Sequence, residues 1–408
     1  MQDLTVDDHT IAVPLDWTDP ADARTIDVHA TVVTRVDGER LPYLLFLQGG
    51  PGFEAPTPFH ASTSPSWLDA ALEKYRVVML DQRGTGRSTP ITDDDLTLGT
   101  DALVERLIHH RADSIVRDAE AIREHLGAPK WSSLGQSFGG FTTLSYLSTA
   151  AESLDKVFFT GGLSAVGRTP DEAYALTYDK VRAASERYYR RFPEHRDAVR
   201  RLVDLAASGS LELPTGEVVS VSRLRSLGSL LGSDDGWQSL WSLLDENPNT
   251  NAFRYDLADA LPFGGRNPLY YVVHESCYAD GGVTDWAAER VEPDDFRADP
   301  TLLTGEHVRR EWADTVPALR PWKDVAEALA VHEWPRLYDV DALRGSGAEG
   351  AAAVYYNDIY VPVEYSMETA SLLPSVTPWV TSQFEHSGLR SASVLPRLFD
   401  LADHKVVR

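Results

Sequence analysis

The sequence predicts an α/β fold, in which a mostly parallel sheet is opened by an antiparallel hairpin, carries helices on both faces and accepts an inserted, mostly helical cap domain. Three observations support this prediction. The chain begins with stretches in which apolar and polar residues alternate. Short continuous apolar runs follow, separated by stretches of helical periodicity. Between about residues 164 and 344 the strand pattern fades. Strands that alternate with helices are typical of doubly wound sheets.

The elements follow in order along the chain. Alternation over residues 10–15 and 26–33 predicts the opening hairpin. Apolar runs typical of strands buried on both faces lie at residues 44–47, 77–80, 157–160 and 351–356. Apolar spacings of three and four predict helices over residues 113–126, 173–192 and 196–207. We therefore expect a sheet domain formed by residues 1–163 and 345–408, with residues 164–344 as the inserted helical cap.

Composition limits the classes of partner. The chain has 408 residues, 43% of them hydrophobic, which is enough for a large core and an insertion. Its formal net charge of -24 would repel nucleic-acid phosphates and anionic lipid surfaces. Cys277 is the only cysteine, so no intrachain disulfide is expected, and no stretch approaches the roughly 20 apolar residues of a membrane helix. We expect a cytoplasmic protein with neither nucleic-acid nor membrane partners.

The strongest motif is the G-x-S-x-G of residues 135–139, which follows the strand-like residues 131–134 and precedes a helix-like run. A nucleophile elbow needs this context, because small neighbours let a strained turn expose the serine hydroxyl. The alternative is an ordinary glycine-rich turn with an idle serine. The motif in its context predicts an α/β-hydrolase fold with Ser137 as nucleophile.

A second motif is Gln48-Gly-Gly-Pro-Gly52, directly after the strand at residues 44–47. Acyl transfer needs two backbone donors for the oxyanion, one after the nucleophile and one from this loop. Phe138 and Gly50 are the candidates, although a glycine-proline turn alone also occurs as plain structure. The glycine-rich segment of residues 81–88 lacks the lysine of a phosphate-binding loop, and we interpret it as a turn that supports the oxyanion loop.

A serine nucleophile needs a base, and the base needs an orienting carboxylate. In this fold the order along the chain is serine, acid, histidine, so only later residues qualify. Asp358 and His386 each follow a strand that resumes the sheet, which places both at its carboxyl edge. Asp339 and Asp341 remain alternatives for the acid.

These segments resemble the proline iminopeptidases. The loop of residues 48–52 is similar to their HGGPG signature, with Gln48 where many members have histidine. Residues 81–88 match their DQRG-x-G-x-S segment, and residues 135–140 match their elbow. The segments of residues 356–362 and 385–390 resemble the acid and histidine segments of the family's larger, long-capped branch.

The resemblance implies hydrolysis of an N-terminal proline from small peptides with a free N-terminus, without a metal or other cofactor. Family members hold the substrate's imino group with cap carboxylates. The segment of residues 270–278 is similar to the branch's His-Glu segment, which makes Glu275 the candidate anchor, with Glu54 as a second candidate and Gly49 beside them in substrate binding. An ordinary salt bridge is the alternative for Glu275.

The departure at Gln48 leaves specificity open. An esterase or lactonase of the same fold, or an aminopeptidase of different preference, shares this loop. A non-catalytic binding protein of the same fold usually lacks a triad member, whereas this sequence has candidates for all three.

Overall fold

The computed structural model describes residues 4–57 and 65–405, and within them one mixed sheet of eight strands. In spatial order the strands run β1-β2-β4-β3-β5-β6-β7-β8. The strands are β1 (Leu4–Pro14), β2 (Thr25–Arg35), β3 (Tyr43–Leu47), β4 (Arg76–Leu80), β5 (Trp131–Gln136), β6 (Leu154–Thr160), β7 (Glu349–Tyr355) and β8 (Val376–Thr381). β2 pairs antiparallel with β1 and β4, and every later pair is parallel. The predicted α/β class with an opening hairpin is confirmed.

Burial explains which sequence pattern each strand has. All five residues of β3 are buried, because the strand lies between β4 and β5 and is covered on both faces. The edge strands β1 and β8 alternate between more and less exposed residues. Continuous apolar runs therefore mark the centre of the sheet.

Four helices precede β6, and two more follow β7 at the end of the chain. These six are α1 (Leu68–Leu72), α2 (Thr100–Leu107), α3 (Ala112–His125), α4 (Phe138–Thr149), α16 (Val363–Ala370) and α17 (Val394–Ala402). The helices α3 and α4 pack into one apolar core on one face, whereas α1 and α17 pack into another on the opposite face. Short 3-10 turns occur at Asp93–Leu98, Ala151–Ser153 and Gly388–Arg390.

Between β6 and β7 every regular element is a helix or a 3-10 turn, and we call residues 161–348 the helical insertion. Its helices are α5 (Pro170–Arg191), α6 (Glu194–Ala207), α7 (Val221–Arg225), α8 (Gly236–Asp245), α9 (Asn251–Ala260), α10 (Pro268–Val273), α11 (Ala287–Arg290), α12 (Asp294–Ala298), α13 (Trp312–Thr315), α14 (Lys323–Ala330) and α15 (Val340–Gly345). Further 3-10 turns occur at Ser226–Gly232, His274–Tyr278 and Arg320–Trp322.

The start of α5 follows from its sequence. The Thr169 side chain accepts the backbone N–H of Glu172, the Glu172 carboxylate accepts the N–H of Thr169, and Pro170 occupies the first turn. Apolar side chains of the insertion form most of two further cores, one of which also takes in Leu103 and Leu107 of α2 and the other Ile359. The predicted limits of the cap, residues 164 and 344, stay predictions. No helix in the described part of the chain is long and apolar enough to cross a membrane.

Candidate active site

Ser137 lies at the sharp turn between β5 and α4. Its backbone angles, φ 54° and ψ -122°, lie outside the helical and extended regions, and its side chain is partly exposed. The Ser137 N–H donates to the carbonyl of Thr160 at the end of β6, at 3.0 Å. Strain of this kind costs about 1–3 kcal/mol and persists where the surroundings impose it. The turn has the form of a nucleophile elbow.

His386 and Asp358 are in direct contact. The Nδ1 atom of His386 lies 2.7 Å from Oδ2 of Asp358, which is fully buried. The other carboxylate oxygen accepts the N–H groups of Tyr360 and Val361 at 2.8 and 3.0 Å. Burial by itself would lower the pKa of His386, but the charge and hydrogen bond of Asp358 outweigh it and the pKa is raised. Because Nδ1 is held by the carboxylate, Nε2 is the nitrogen that can accept a proton.

The turn at Gly161 brings these groups to one edge of the sheet. Gly161 directly follows Thr160, and a Cβ atom on it would lie 2.9 Å from His386 Nδ1 and 3.3 Å from Asp358 Oδ2. Within the described residues no hydrogen bond joins the Ser137 hydroxyl to the His386 ring. In substrate-free enzymes this contact is often long and shortens when substrate binds.

The alternative acids lie elsewhere. Asp339 caps α15 by accepting the N–H groups of Asp341 and Ala342, and the Asp341 side chain is 96% exposed. Of the candidate carboxylates, Asp358 is therefore the one that the structure brings to His386.

The loop of residues 48–52 passes beside the elbow. A Cβ atom on Gly49 would lie 3.1 Å from the Cβ of Ser137. The Gly49 N–H donates to the side chain of Gln48 at 3.1 Å. Across residues 4–57 and 65–405, neither the Gly50 N–H nor the Phe138 N–H donates to a protein acceptor. Two such donors beside a nucleophile are what an oxyanion site requires.

The turn after β4 holds this loop, as its sequence suggested. The side-chain amide of Gln82 donates to the Gln48 carbonyl at 2.7 Å. The Asp81 carboxylate accepts the N–H of Ala55 at 3.0 Å and that of Arg87 at 2.9 Å. The glycine-rich segment therefore supports the candidate oxyanion loop through hydrogen bonds.

A buried ion pair fixes this turn from below. Arg83 and Asp118 are 2% and 1% exposed, and two of the guanidinium nitrogens donate to the carboxylate at 2.7 and 2.6 Å. Arg83 also donates to the Pro14 and Leu15 carbonyls at the end of β1, and the Trp17 indole donates to Asp118 at 2.9 Å. The pair thus connects the opening hairpin, α3 and the supporting turn.

A cavity of about 790 Å³ adjoins these groups. Gln48, Gln136 and His386 line it from the edge of the sheet, and Ser229 and Leu230 line it from the helical insertion. A space of this size, enclosed by both parts of the chain, is large enough for a small organic or peptide ligand.

The two carboxylates named as substrate anchors are already engaged. Glu275 is buried, and its two oxygens accept the N–H groups of Ala287 and Ala288 at 3.1 and 2.9 Å, at the start of α11. Burial raises the pKa of Glu275 to about 7. The Glu54 carboxylate pairs with the exposed Arg266 guanidinium. Neither geometry leaves a carboxylate directed freely toward Ser137.

A third carboxylate, Glu306, was not anticipated from the sequence. Its side chain is 26% exposed, and partial burial raises its pKa to about 7. The negative charge of Glu306 also raises the pKa of His386. The Tyr270 hydroxyl donates to it. His274, at 4.0 Å, has its pKa lowered to about 3 by burial and is neutral. Among the described residues no Lys or Arg lies within 4.0 Å of Glu306. A carboxylate without a fixed cation, close to the candidate base, can accept a substrate ammonium.

No cluster of three or more His, Cys, Asp or Glu side chains in the described residues could hold a metal ion.

Comparison with known proteins places these features in context. A family model of the alpha/beta hydrolase fold matches residues 42–217. The chain is 39% identical to a protein of Aeromonas sobria named proline iminopeptidase, over 96% of this chain and 95% of that one. It is 31% identical to proline iminopeptidase aneH of Aspergillus aculeatus, over 97% and 93% of the two chains. Both similarities extend across the helical insertion as well as the sheet.

Proposed function

Because the chain belongs to the proline iminopeptidase family of α/β hydrolases, we propose that it releases proline, or a similar small residue, from the N-terminus of peptides. The observation that carries this proposal is the 2.7 Å contact between His386 and buried Asp358, at the edge of the sheet where the elbow presents Ser137. A base oriented by a carboxylate beside an exposed serine is the arrangement that acyl transfer needs.

The reaction proceeds in two steps. Nε2 of His386 takes the proton of the Ser137 hydroxyl as its oxygen attacks the carbonyl carbon of the N-terminal residue. The N–H groups of Gly50 and Phe138 stabilise the oxyanion, and Asp358 stabilises the imidazolium. His386 then gives its proton to the leaving amine, and the peptide bond breaks. Water, deprotonated by the same nitrogen, releases proline and restores the serine.

An exopeptidase must also recognise the free amine of its substrate. Glu306 is the favoured acceptor, since its carboxylate is partly exposed and has no cationic partner among the described residues. Glu275 ranks second to Glu306 as acceptor of the amine, because both of its carboxylate oxygens already accept backbone N–H groups. The cap, expected to span residues 164–344, would admit a small ring and exclude longer acyl groups.

The activity is tested by turnover of proline arylamides with purified protein and with Ser137→Ala as the matched control. We expect cleavage by the wild type and a rate in the variant lower by on the order of 10³ or more. Equal rates in the two proteins, or labelling of both by a fluorophosphonate probe, would refute the assignment of Ser137. A parallel panel of short acyl esters distinguishes a peptidase from an esterase.

The amine anchor is tested with Glu306→Gln and Glu275→Gln. Each is assayed on a proline arylamide and on an acyl ester of similar size that lacks an amine. We expect Glu306→Gln to raise KM for the amine substrate by roughly 10- to 100-fold, as loss of a charge-assisted contact would, with little change on the ester. A selective effect of Glu275→Gln alone would transfer the role to Glu275.

A further inference from the structure

The loop that carries His386 is bonded to the helical insertion. We call residues 382–387, between β8 and the 3-10 turn, the histidine loop, and residues 229–234 the clamp segment. The N–H of Glu385 donates to Asp234 Oδ1 at 2.7 Å, and the N–H of His386 donates to the Gly232 carbonyl at 2.9 Å. The N–H of Asp234 donates to Ser387 Oγ at 3.1 Å. Consecutive residues of the histidine loop are thus each fixed by the clamp segment.

The same segment also contacts the turn that carries the acid. The Tyr360 hydroxyl donates to the carbonyl of Ser229 in the clamp segment. The Tyr360 ring lies edge-on to the His386 ring, with 5.0 Å between ring centres. The backbone N–H of Tyr360 donates to the Asp358 carboxylate. A shift of the clamp segment would therefore be transmitted to both residues of the pair.

A second connection comes from α5. Arg187 donates through Nη1 to the side-chain oxygen of Asn357 at 3.0 Å, and its Nη2 lies 3.6 Å from the Glu385 carboxylate. Asn357 precedes Asp358, and Glu385 precedes His386. The Arg187 guanidinium thus joins the residue before the acid to the residue before the histidine, and it stacks over Trp237 of α8 at 5.9 Å.

The sheet offers less support at this place. In the described part of the chain β8 is an edge strand that pairs only with β7, and the histidine loop leaves its end. We propose that the clamp segment and Arg187 are positioning elements for the catalytic pair, so that His386 is held against Asp358 only while the helical insertion is docked. The proposal rests on the proposed function in one respect, which is that His386 acts as the base.

The first test uses Asp234→Ala, Asp234→Asn and Asp294→Ala. The alanine removes the acceptor of the Glu385 N–H, whereas asparagine keeps an oxygen there. Asp294 is a control from the same insertion, because its side chain is 100% exposed and pairs with Arg297 on its own helix. Asp234 is also exposed, so folding should persist in all three. Thermal melting checks this.

We expect Asp234→Ala to lower kcat on proline arylamides by roughly 10- to 100-fold, since misplacement of a catalytic group by about 1 Å costs that much. KM should change less than about twofold, since the clamp bond does not touch substrate. Asp234→Asn should recover most of the rate, and Asp294→Ala should equal the wild type. A rise in KM alone, or equal loss in the alanine and asparagine variants, would overturn the proposal.

A second readout does not need substrate. In protein labelled with ¹⁵N-histidine, the His386 Nδ1 proton bonded to Asp358 should give a far-downfield resonance, and the raised pKa of His386 can be titrated. In Asp234→Ala and Arg187→Met we expect this resonance to broaden and the pKa of His386 to fall. An unchanged resonance and pKa in both variants would refute the clamp. If even the wild type fails to cleave proline arylamides, the proposed function is wrong, and this readout still decides on the clamp.

Discussion

Replacing Asp358 by asparagine separates the orientation of the base from the stability of the fold. One carboxylate oxygen accepts two backbone N–H groups, and the other accepts the Nδ1 proton of His386. In Asp358→Asn the amide oxygen can keep the two backbone bonds. Its NH₂ group then faces His386 and requires Nδ1 to be an acceptor, which moves the ring proton to Nε2. The nitrogen that should take the serine proton is then already protonated.

The expected loss is large. Enforcing the wrong tautomer lowers kcat by on the order of 10⁴, or about 5.4 kcal/mol at 1.36 kcal/mol for each factor of ten. Stability should change little in Asp358→Asn. Asp358→Ala also leaves the buried N–H of Val361 and the partly buried N–H of Tyr360 without an acceptor, and a buried group left so costs about 1–3 kcal/mol. The alanine variant should therefore unfold at clearly lower denaturant concentration than the asparagine variant.

The assay combines steady-state turnover of a proline arylamide with urea denaturation of both variants. If Asp358→Asn retained more than about a tenth of the wild-type kcat, the carboxylate would not be orienting the base. If asparagine destabilised the fold as much as alanine, the division of the two oxygens between backbone and histidine would be incorrect.

Three further predictions concern the surroundings of the pair. Gln82→Leu should lower kcat about tenfold or more, because the Gln48 carbonyl loses the side-chain amide that holds the candidate oxyanion loop in place. Normal kinetics in a folded variant would show that Gln82 does not support the loop. Asp118→Asn should reduce the free energy of unfolding by about 3–5 kcal/mol, because Arg83 stays buried without its counter-charge, and a loss below about 1 kcal/mol by urea denaturation would contradict it. The proposed mechanism needs a neutral His386 and an ionised Glu306, and the pKa values of both groups are raised, that of Glu306 to about 7. A plot of log kcat/KM against pH should therefore fall on the acid side with a slope approaching about 2. In Glu306→Gln only His386 remains to titrate, and the slope should be about 1. Equal slopes in the two proteins would contradict the role of Glu306.

The sheet and the elbow were predictable from the sequence because their signals are local. Continuous apolar runs marked the buried strands, and the glycines around Ser137 marked a turn that few other sequences can adopt. The order of the triad along the chain then directed attention to Asp358 and His386. Their catalytic roles, the limits of the cap and the cytoplasmic setting stay predictions.

The insertion was less predictable, because its contacts join residues far apart in the chain. Glu306 lies 80 residues before His386, and it belongs to no strand pattern or catalytic motif of the sequence. The one usable signal was a lone acid between the apolar residues 302–303 and Val308. Glu275 was chosen by resemblance, and the structure assigns its oxygens to the start of α11. The bonds of Asp234 and Arg187 span more than 150 residues each and leave no periodic trace.

The buried guanidinium of Arg83 gives the opening hairpin an importance that its distance from the substrate conceals. Its bonds to the carbonyls at residues 14 and 15 tie the end of β1 to the turn that supports the loop beside Ser137. Deleting β1 and the residues through Trp17 would remove both carbonyls and the Trp17 indole, so the buried Arg83–Asp118 pair would lose three of its hydrogen bonds. Such a truncated enzyme would lose turnover although none of the deleted atoms belongs to the catalytic groups.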